Sequence, residues 1–227
     1  MARTVKEQGF TTRRSEILDA AYRLVYIKGF DQMTVQDILS DLKISKGAFY
    51  HYFDSKGEVL EALVERIVDE IEPSLITIAQ NPHLSALEKL QCYFDTAVRW
   101  KTARKSLMLS LLRVWYADEN AIVRQKVFAT TVKRITPWIT AIICQGVEEG
   151  VFTTAYPDYI CQLNIYLLQG LSDAFVALLF SDQPDQDLLI HAENTLAAYT
   201  DALERVLGAP RGSLNLMDAE TLKEWFI

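Results

Sequence analysis

The sequence predicts an all-α protein with an N-terminal three-helix domain followed by a larger helical domain. Apolar residues recur at three- and four-residue spacing along nearly the whole chain, and no alternating run typical of a strand interrupts them. Capping pairs, Gly and Pro separate the helical segments. With 227 residues, 50% of them hydrophobic, the chain can bury a sizeable core in one or two domains.

The first predicted helix covers residues 12 to 28 and supplies the core of the N-terminal domain. Gly29 and Phe30 follow it and are typical of a helix C-cap. The apolar positions of this helix share one stripe and are Ile17, Ala20, Ala21, Leu24 and Val25.

Two short helices joined by a tight turn are predicted over residues 34 to 53. Thr34 is a good N-cap for the first, with Asp37 three residues on. The second begins after Ser45, also a good cap. Because only residues 43 and 44 separate them, the two helices must cross steeply, which is the geometry of a helix-turn-helix.

The second helix of this pair has an apolar side and a mixed outer side. Phe49 and Phe53, four residues apart, are predicted to pack inward. The outer side carries Lys46, Gly47, Ala48, Tyr50 and His51. Small residues let a backbone approach base edges, and Lys and Tyr reach phosphate oxygens or groove acceptors, so the pattern favours DNA binding. A helical hairpin with a solvated Lys and Tyr would show a similar pattern.

From Thr11 to about Ile71 the sequence resembles the DNA-binding domain of the TetR/AcrR family of transcriptional regulators. The matching residues are Thr34, Ile38, Ser45, Gly47, Ala48, Tyr50, Phe53, Ser55 and Lys56. Two departures lie at the turn: Leu39 stands where the family usually has Ala, and Leu42-Lys43 where Ala-Gly is common. A non-Gly residue tolerates a left-handed backbone less well, so these departures bear on the local packing and the backbone angle of the turn.

The resemblance implies roles for residues of the motif. It divides the chain into a helix-turn-helix DNA-binding domain, residues 11–71, and a helical ligand-binding and dimerisation domain, residues 72–227. It places Gln36, Lys46, Gly47, Ala48 and Tyr50 near bases. It places Thr34, Ser45, Tyr50, His51 and Lys56 near phosphates. In a dimer, two such helices would enter successive major grooves about 34–36 Å apart on a palindromic double-stranded DNA operator.

The remaining segments are also predicted as helices. Ser55 and Glu58 form a capping box for a helix that Pro73 is expected to end, and the resemblance implies that this helix links the DNA reader to the rest. Further helices are expected after the capping pair Ser85 and Glu88, over 105–116 (apolar nearly all round, so buried), over 119–150 with a kink at Pro137, and over 157–181 and 184–207, before Gly208, Pro210 and Gly212 break the pattern.

The helices at 157–181 and 184–207 carry more apolar surface than packing on one side can use. Two such pairs could form a two-fold four-helix interface, and the resemblance implies the same homodimer. Gly170 would permit close helix approach, or is a small residue tolerated in a core.

Seven aromatic residues fall on helices that surround a ligand cavity in the family. They are Phe94, Trp100, Trp115, Tyr116, Phe128, Trp138 and Tyr166. Aromatic linings suit bulky apolar or cationic small molecules, although aromatics at helical spacing are more often core residues. Arg99 and Arg113 could meet an anionic ligand or form internal ion pairs. Taken together, the DNA-binding motif and the helical second domain predict a repressor that is released from DNA when a small-molecule effector binds. Activation of transcription is the open alternative.

The charge distribution is uneven. The net charge is −7, yet the first 53 residues hold eight Lys and Arg against six Asp and Glu. Arg3, Lys6, Arg13 and Arg14 cluster at the start, so the basic balance accompanies the motif. For Arg3 and Lys6, a flexible arm touching the DNA backbone and a solvated terminus are both consistent.

Catalytic chemistry finds no support in the sequence. The histidines are His51, His83 and His191, without paired-His zinc spacing, and neither a Ser elbow nor a phosphate-binding glycine loop occurs. We therefore expect no catalytic residue, metal or cofactor. A helical carrier or enzyme that uses the C-terminal cavity is the alternative function.

Three further expectations concern the environment of the chain. The start of the chain lacks an apolar targeting segment, and no window of about 20 residues is free enough of polar groups to span a bilayer. We therefore expect a cytoplasmic protein with no membrane partner. Cys92, Cys144 and Cys161 are expected to be reduced and buried. The apolar tail, residues 213–227, should dock on its own domain or cross to a dimer mate.

Overall fold

The computed structural model describes residues 2–181 and 187–227, with side chains from Phe10 onward, and the described residues contain helices and no strand. The helices are α1 (Ala2–Lys28), α2 (Val35–Leu42), α3 (Lys46–Tyr50), α4 (Lys56–Ala79), α5 (Ala86–Thr102), α6 (Lys105–Trp115), a short 3-10 helix (Asp118–Asn120), α7 (Ala121–Glu148), α8 (Pro157–Leu179), α9 (Leu188–Leu207) and α10 (Ala219–Phe226). The all-α prediction is confirmed.

The chain forms two compact units. The first comprises the residues up to Glu70 together with Ser106–Val127, and the second comprises Ile71–Lys105 and Phe128–Ile227. The division near residue 71 coincides with the sequence-based boundary, whereas Ser106–Val127 joins the first unit. One reason is that Ser110 Oγ accepts a hydrogen bond of 3.2 Å from the Phe30 N–H, a contact that sequence spacing does not reveal.

Helix α1 forms the centre of the first unit. It begins at Ala2, earlier than the predicted start at residue 12, so the backbone that carries Arg3 and Lys6 is helical and not a flexible or disordered segment. The fully buried residues of α1 are Ile17, Ala20 and Ala21. Gly29 ends the helix with φ of 80° and an N–H that donates to the Val25 carbonyl at 2.9 Å, so the predicted C-cap is confirmed.

A capping box starts α2 and is held by a neighbouring lysine. Thr34 Oγ1 accepts the Asp37 N–H at 3.2 Å, and the Asp37 carboxylate accepts the Thr34 N–H at 2.7 Å. Lys28 Nζ lies 2.6 Å from the same carboxylate. The hydrogen bond from Lys28, followed by those from Thr34, lowers the pKa of Asp37 to about 2. This charged network fixes the start of α2 against the end of α1.

The turn between α2 and α3 contains a strained backbone. Lys43 has φ of 52° and ψ of 44°, and among the described residues it is the non-glycine residue with positive φ. The Ile44 N–H donates to the Leu39 carbonyl at 3.0 Å, which closes the end of α2. Lys43 thus adopts the left-handed conformation that glycine adopts more easily, so the turn keeps a glycine-type backbone angle at a steric cost, and the sequence departure at this position does not change the angle.

Helix α4 continues beyond Pro73 to Ala79, so the prediction that Pro73 ends it is wrong. Pro73 has no N–H to donate, but Thr77 Oγ1 donates to its carbonyl at 2.8 Å. Arg134 of α7 bonds the Glu72 carboxylate with its Nε at 3.1 Å, and Leu75 is buried. These contacts within the second unit offset the cost of a proline inside a helix, about 3 kcal/mol.

The core of the second unit is built by α5, α7, α8 and α9. Its buried residues include Leu90, Phe94, Ile142, Ile143, Cys161, Ile165, Leu203 and Leu207. The predicted capping box at Ser85 and Glu88 is confirmed. Helix α6 buries one face, with Arg113 exposed, so the prediction that it is buried all round is wrong. The helices predicted over 157–181 and 184–207 correspond to α8 and α9. The predicted start at residue 184 falls within residues 182–186, which lie outside the described residues.

One helical segment differs from the expectation that no part of the chain is apolar enough to span a bilayer. Asp118–Glu148 contains an 18-residue window with a mean hydropathy of 1.2, of which 22% is buried, so by length and composition alone it could cross a membrane. Core helices of soluble proteins meet the same criterion, and this helix places Ile139, Ile142 and Ile143 in the core of the second unit.

The apolar tail docks on its own unit, as the first of the two alternatives predicted. Leu214 and Leu216 join the main core, and Leu222 and Phe226 of α10 pack against Ala192 of α9. The buried Glu204 carboxylate accepts the backbone N–H groups of residues 212 and 214 at 2.9 Å each. Burial of these groups and of the tail's apolar side chains holds the segment in place.

Replacing Lys43 with Gly should raise the free energy of unfolding by about 0.5–1 kcal/mol, because glycine adopts positive φ without the steric cost paid by other residues. Urea unfolding followed by circular dichroism measures this. Lys43→Ala is the matched control, since it removes the charge but keeps Cβ; a Gly variant no more stable than the Ala variant contradicts the strain.

Protonation of Asp37 should weaken the start of α2 at low pH. Its folded-state pKa of about 2 lies below the unfolded value of about 4, so its contribution to stability is present above pH 4 and is lost as the pH falls toward 2. NMR titration of the Asp37 carboxyl should give a midpoint near 2, and Asp37→Asn should flatten the fall in stability over that range. A midpoint near 4 would contradict the network.

Candidate nucleic-acid interface

Helix α3 is short and is held by one buried side chain and one cap. It spans five residues, Lys46–Tyr50, and Ser45 Oγ accepts the Ala48 N–H at 3.2 Å. Phe49 is 0% exposed, and its ring centre lies 5.9 Å from that of Phe53, which is 1% exposed. The predicted inward packing of Phe49 and Phe53 is confirmed.

The opposite side of α3 faces solvent. Ser45, Lys46, Gly47, Tyr50 and His51 are exposed and Ala48 is half-buried. Lys46 Nζ lies 5.8 Å from the centre of the Tyr50 ring, so a cation and an aromatic group sit side by side on this surface. The residues that the sequence assigned to the outer side therefore share one exposed face, which we call the α3 outer face.

Gly47 leaves open space on the α3 outer face. A Cβ added at Gly47 would have Ser45 Oγ, 4.0 Å away, as its nearest neighbour outside its own helix turn. Nothing within the chain therefore requires glycine at this position, and its backbone conformation does not either, since its φ is not positive. The missing side chain instead leaves the backbone accessible to a group outside the protein.

Two of the predicted contact residues lie on α2 or its cap and are partly engaged already. Thr34 is exposed, but its hydroxyl donates to the Asp37 carboxylate at 2.7 Å. Gln36 is exposed, and its Nε2 lies 3.4 Å from Ser40 Oγ, a long hydrogen bond. Gln36 thus keeps most of its hydrogen-bonding capacity, while Thr34 uses its donors in the capping box.

Lys56 is held inside the first unit. Its Nζ donates to the Asp31 carbonyl at 3.1 Å and lies 4.5 Å from the centre of the Phe30 ring. Burial lowers the pKa of Lys56 from its usual value, partly opposed by Asp31 and Glu119. Lys56 therefore has a structural role at the start of α4 that the sequence pattern did not indicate.

Several residues that support this surface were missed by sequence reasoning. Phe10 packs on Tyr52 and His51, with ring centres 4.7 and 5.6 Å apart. The Arg14 guanidinium lies 4.8 Å above the Phe53 ring, so at least one of the clustered basic residues has an internal partner. Phe10 precedes the predicted helix start, and its contacts depend on the extra turns of α1.

The seven aromatic residues predicted to line a ligand site are divided between the two units. Trp115 and Tyr116 belong to the first unit, and the other five belong to the second. Phe94 is a core residue at 9% exposure, while the Phe128 and Tyr166 rings pair at 5.6 Å. Other partners are cationic: Arg104 lies 4.2 Å from the Trp100 ring and Arg124 lies 4.8 Å from the Tyr116 ring.

The other candidate groups have ordinary structural settings. Arg99 Nε donates to the Asp95 carbonyl at 3.2 Å, within its own helix. The three cysteines are free thiols, with Cys161 buried and the other two half-buried. Across the residues that the structure describes, no group of three or more His, Cys, Asp or Glu side chains could hold a metal ion.

Comparison with known proteins supports the reading of the motif. The family described as "Bacterial regulatory proteins, tetR family" matches residues 17–63, and "Tetracyclin repressor-like, C-terminal domain" matches residues 112–177. The uncharacterised HTH-type transcriptional regulator YfiR of Bacillus subtilis is 25% identical over 69% of this chain and 76% of its own. The HTH-type transcriptional regulator EthR of Mycobacterium tuberculosis is 28% identical over 61% of this chain and 58% of its own.

The fold comparison agrees across nearly the whole chain. The crystal structure of a TetR-family transcriptional regulator from Pectobacterium atrosepticum has a TM-score of 0.67 to this structure, with 19% identity, and covers 90% of this chain and 98% of its own. The first family match lies in the first unit, and the second includes residues of both units. Regulators of this family are not enzymes, so the enzyme alternative is removed. The chain belongs to the TetR family of DNA-binding transcriptional regulators.

Proposed function

We propose that this regulator is a homodimeric repressor that binds a palindromic operator through the α3 outer face and is released when a small molecule binds the second unit. The observation that carries the DNA contact is the exposed, glycine-containing face of α3 opposite the buried Phe49. The observation that supports a dimer is an exposed apolar stripe on α8.

The α3 outer face fits a major groove. It combines a cation, a phenol and an imidazole with a position that has no side chain, so it offers donors to base edges and phosphates and lets the backbone come close. In this proposal Lys46 and Tyr50 contact bases or phosphates, and Gln36 reaches from α2. Lys56 gives one of its three N–H donors to the Asp31 carbonyl, so in this proposal it contacts a phosphate with a remaining donor, and the exposed Ser45 contacts a phosphate beside it.

The α8 stripe supports a dimer built from α8 and α9. Tyr159, Leu163 and Tyr166 are 75%, 52% and 50% exposed, and their spacing of four and three residues puts them on one face. Ile190 of α9 is 52% exposed. Apolar side chains exposed together favour burial against a partner, and a second copy gives a symmetric four-helix interface.

Gly170 serves the packing of α8 on α9 within one chain. A Cβ at Gly170 would lie 2.9 Å from Tyr199 Oη, closer than van der Waals contact allows. This glycine therefore allows α8 and α9 to pack closely within one chain. In the proposed dimer the two helices contact the partner together.

The proposed release couples the second unit to the first through α4. This helix is continuous from Lys56 to Ala79, with residues up to Glu70 in the first unit and residues from Ile71 in the second. Its later part is tied to α7 by the ion pair between Glu72 and Arg134. A coupling free energy of about 1–3 kcal/mol through such a helix would lower operator affinity about 5- to 150-fold.

Gly47→Ala tests the DNA contact, because the added methyl group has room in the free protein but not against a base edge. Using an operator selected from random-sequence duplexes, we expect the substitution to lower affinity about tenfold or more, the size of one lost base contact of about 1–3 kcal/mol. Its melting temperature should not fall, since alanine favours helices more than glycine. Fluorescence anisotropy at two salt concentrations measures the affinity.

Lys46→Ala and Lys223→Ala form the matched pair for charge. Lys223 is exposed on α10, so losing it should leave affinity for the selected duplex unchanged. Wild-type affinity in both Gly47→Ala and Lys46→Ala would show that the α3 outer face is not the reading surface.

Leu163→Asp tests the dimer, because a carboxylate at the centre of the α8 stripe would have to be buried unpaired in the interface. We expect a monomer by sedimentation velocity, with helical content retained and operator affinity reduced. Ile122→Asp is the control, since Ile122 is 73% exposed and belongs to the first unit and not to the α8–α9 pair. A Leu163→Asp protein that stays dimeric would place the interface elsewhere.

A further inference from the structure

Helix α8 carries a polar residue on its buried face. The side of α8 opposite the exposed stripe buries Cys161, Ile165, Leu171 and Val176 in the core of the second unit. Asn164 lies on this side and is 5% exposed. Among the described residues, no hydrogen-bond donor meets its Oδ1.

An unpaired amide in such a position is costly. Leaving a buried polar atom without a partner costs about 1–3 kcal/mol, whereas a Leu, which has the same branched shape, would have no unpaired polar atom there. The chain nevertheless has Asn between apolar neighbours on a core face. A group from outside the chain that donates a hydrogen bond to Oδ1 would remove the cost.

Other neutral polar groups belong to the same core. Cys161 is three residues earlier on the same face, and its thiol donates to the Thr136 carbonyl of α7 at 3.5 Å. Tyr93 of α5 packs against the same core and lies near the Cys161 thiol; burial raises the pKa of Tyr93 to about 12, with a smaller contribution from Cys161. Burial also raises the pKa of Cys161. Helices α5, α7 and α8 thus bring together polar groups that stay uncharged at neutral pH.

The buried charges of the described residues already have hydrogen-bond partners within the chain. The buried charged side chains are Lys89 and Glu204. Lys89 Nζ donates to Gln145 Oε1 at 2.7 Å, and Glu204 binds the backbone N–H groups that hold the tail. An ionised ligand placed beside Asn164 would therefore be buried without a counter-charge, at high cost.

We infer that Asn164 is the polar anchor of the effector and that the effector is an uncharged, mostly apolar molecule with one O–H or N–H donor. The donor binds Asn164 Oδ1, the apolar body packs among the core residues beside Cys161, and Tyr93 contributes a second polar contact. This inference rests on the proposed function, because it names the ligand class for the effector-responsive unit.

The test uses three probes of similar shape, 4-butylphenol, 4-butyltoluene and 4-butylbenzoate, with the wild-type full chain and the variant Asn164→Leu. Binding is measured by titration calorimetry without DNA, so the result does not depend on operator recognition. We expect the wild type to bind 4-butylphenol at least tenfold more tightly than 4-butyltoluene, and 4-butylbenzoate not at all. We expect Asn164→Leu to lose this preference for the phenol.

The melting temperature gives a second readout that needs no ligand. Asn164→Leu should melt at the same temperature as the wild type or higher, because it removes an unpaired buried amide. Leu168→Asn, one turn away, is the control for a new buried amide and should melt lower. A lower melting temperature for Asn164→Leu shows that Asn164 has a structural partner and overturns the inference.

The binding outcomes are equally decisive. Failure of 4-butylphenol to bind at millimolar concentration, or equal binding by both proteins, overturns the anchor. Binding as expected without any release of the selected operator supports Asn164 as a ligand anchor but contradicts the proposed effector-driven release. The two claims therefore fail separately.

Discussion

The surface proposed to contact DNA depends on how a five-residue helix is held in place. A helix as short as α3 is not stable by itself, so its position comes from the burial of Phe49 and from the Ser45 cap. The cap of α2 is reinforced by Lys28 through the Asp37 carboxylate. Because these contacts occupy the inner side, the polar and small residues of α3 are left on the outside. The residue that anchors α3 and the residues proposed to contact DNA therefore lie on opposite sides of the helix, because a helix of five residues is too short to carry both sets on one side.

The helix caps and the turn between α2 and α3 could be predicted because their causes are local. Thr34 with Asp37, Ser45 with Ala48, and Ser85 with Glu88 are each within three residues, so the sequence shows both partners. Contacts between distant segments could not be read in this way. Helix α4 passes through Pro73 because of packing and an ion pair within the second unit, and Phe10 reaches Tyr52 only because α1 extends further than its apolar stripe suggests. The seven aromatic residues are divided between the two units, a division that helical spacing does not reveal.

Helix α8 links the parts of the proposed mechanism. Its exposed stripe offers a surface to a second copy, and its buried face carries the unpaired amide of Asn164. A ligand bound on one face would act on a helix whose other face joins the two protomers. The same helix is packed tightly on α9 at Gly170, so a shift of α8 would carry α9 with it. The unpaired amide oxygen of Asn164 lowers the stability of the second unit, as is expected for a site that must respond to a ligand.

In the proposed complex, two copies of the chain place α3 in successive major grooves of one duplex. Hydroxyl-radical footprinting on the selected operator, combined with the mass of the complex by sedimentation, tests this arrangement. We expect two protected regions on one face of the DNA, about 10 base pairs or a multiple of that apart, and a complex containing an even number of protomers. One protected region with a single protomer bound would contradict it.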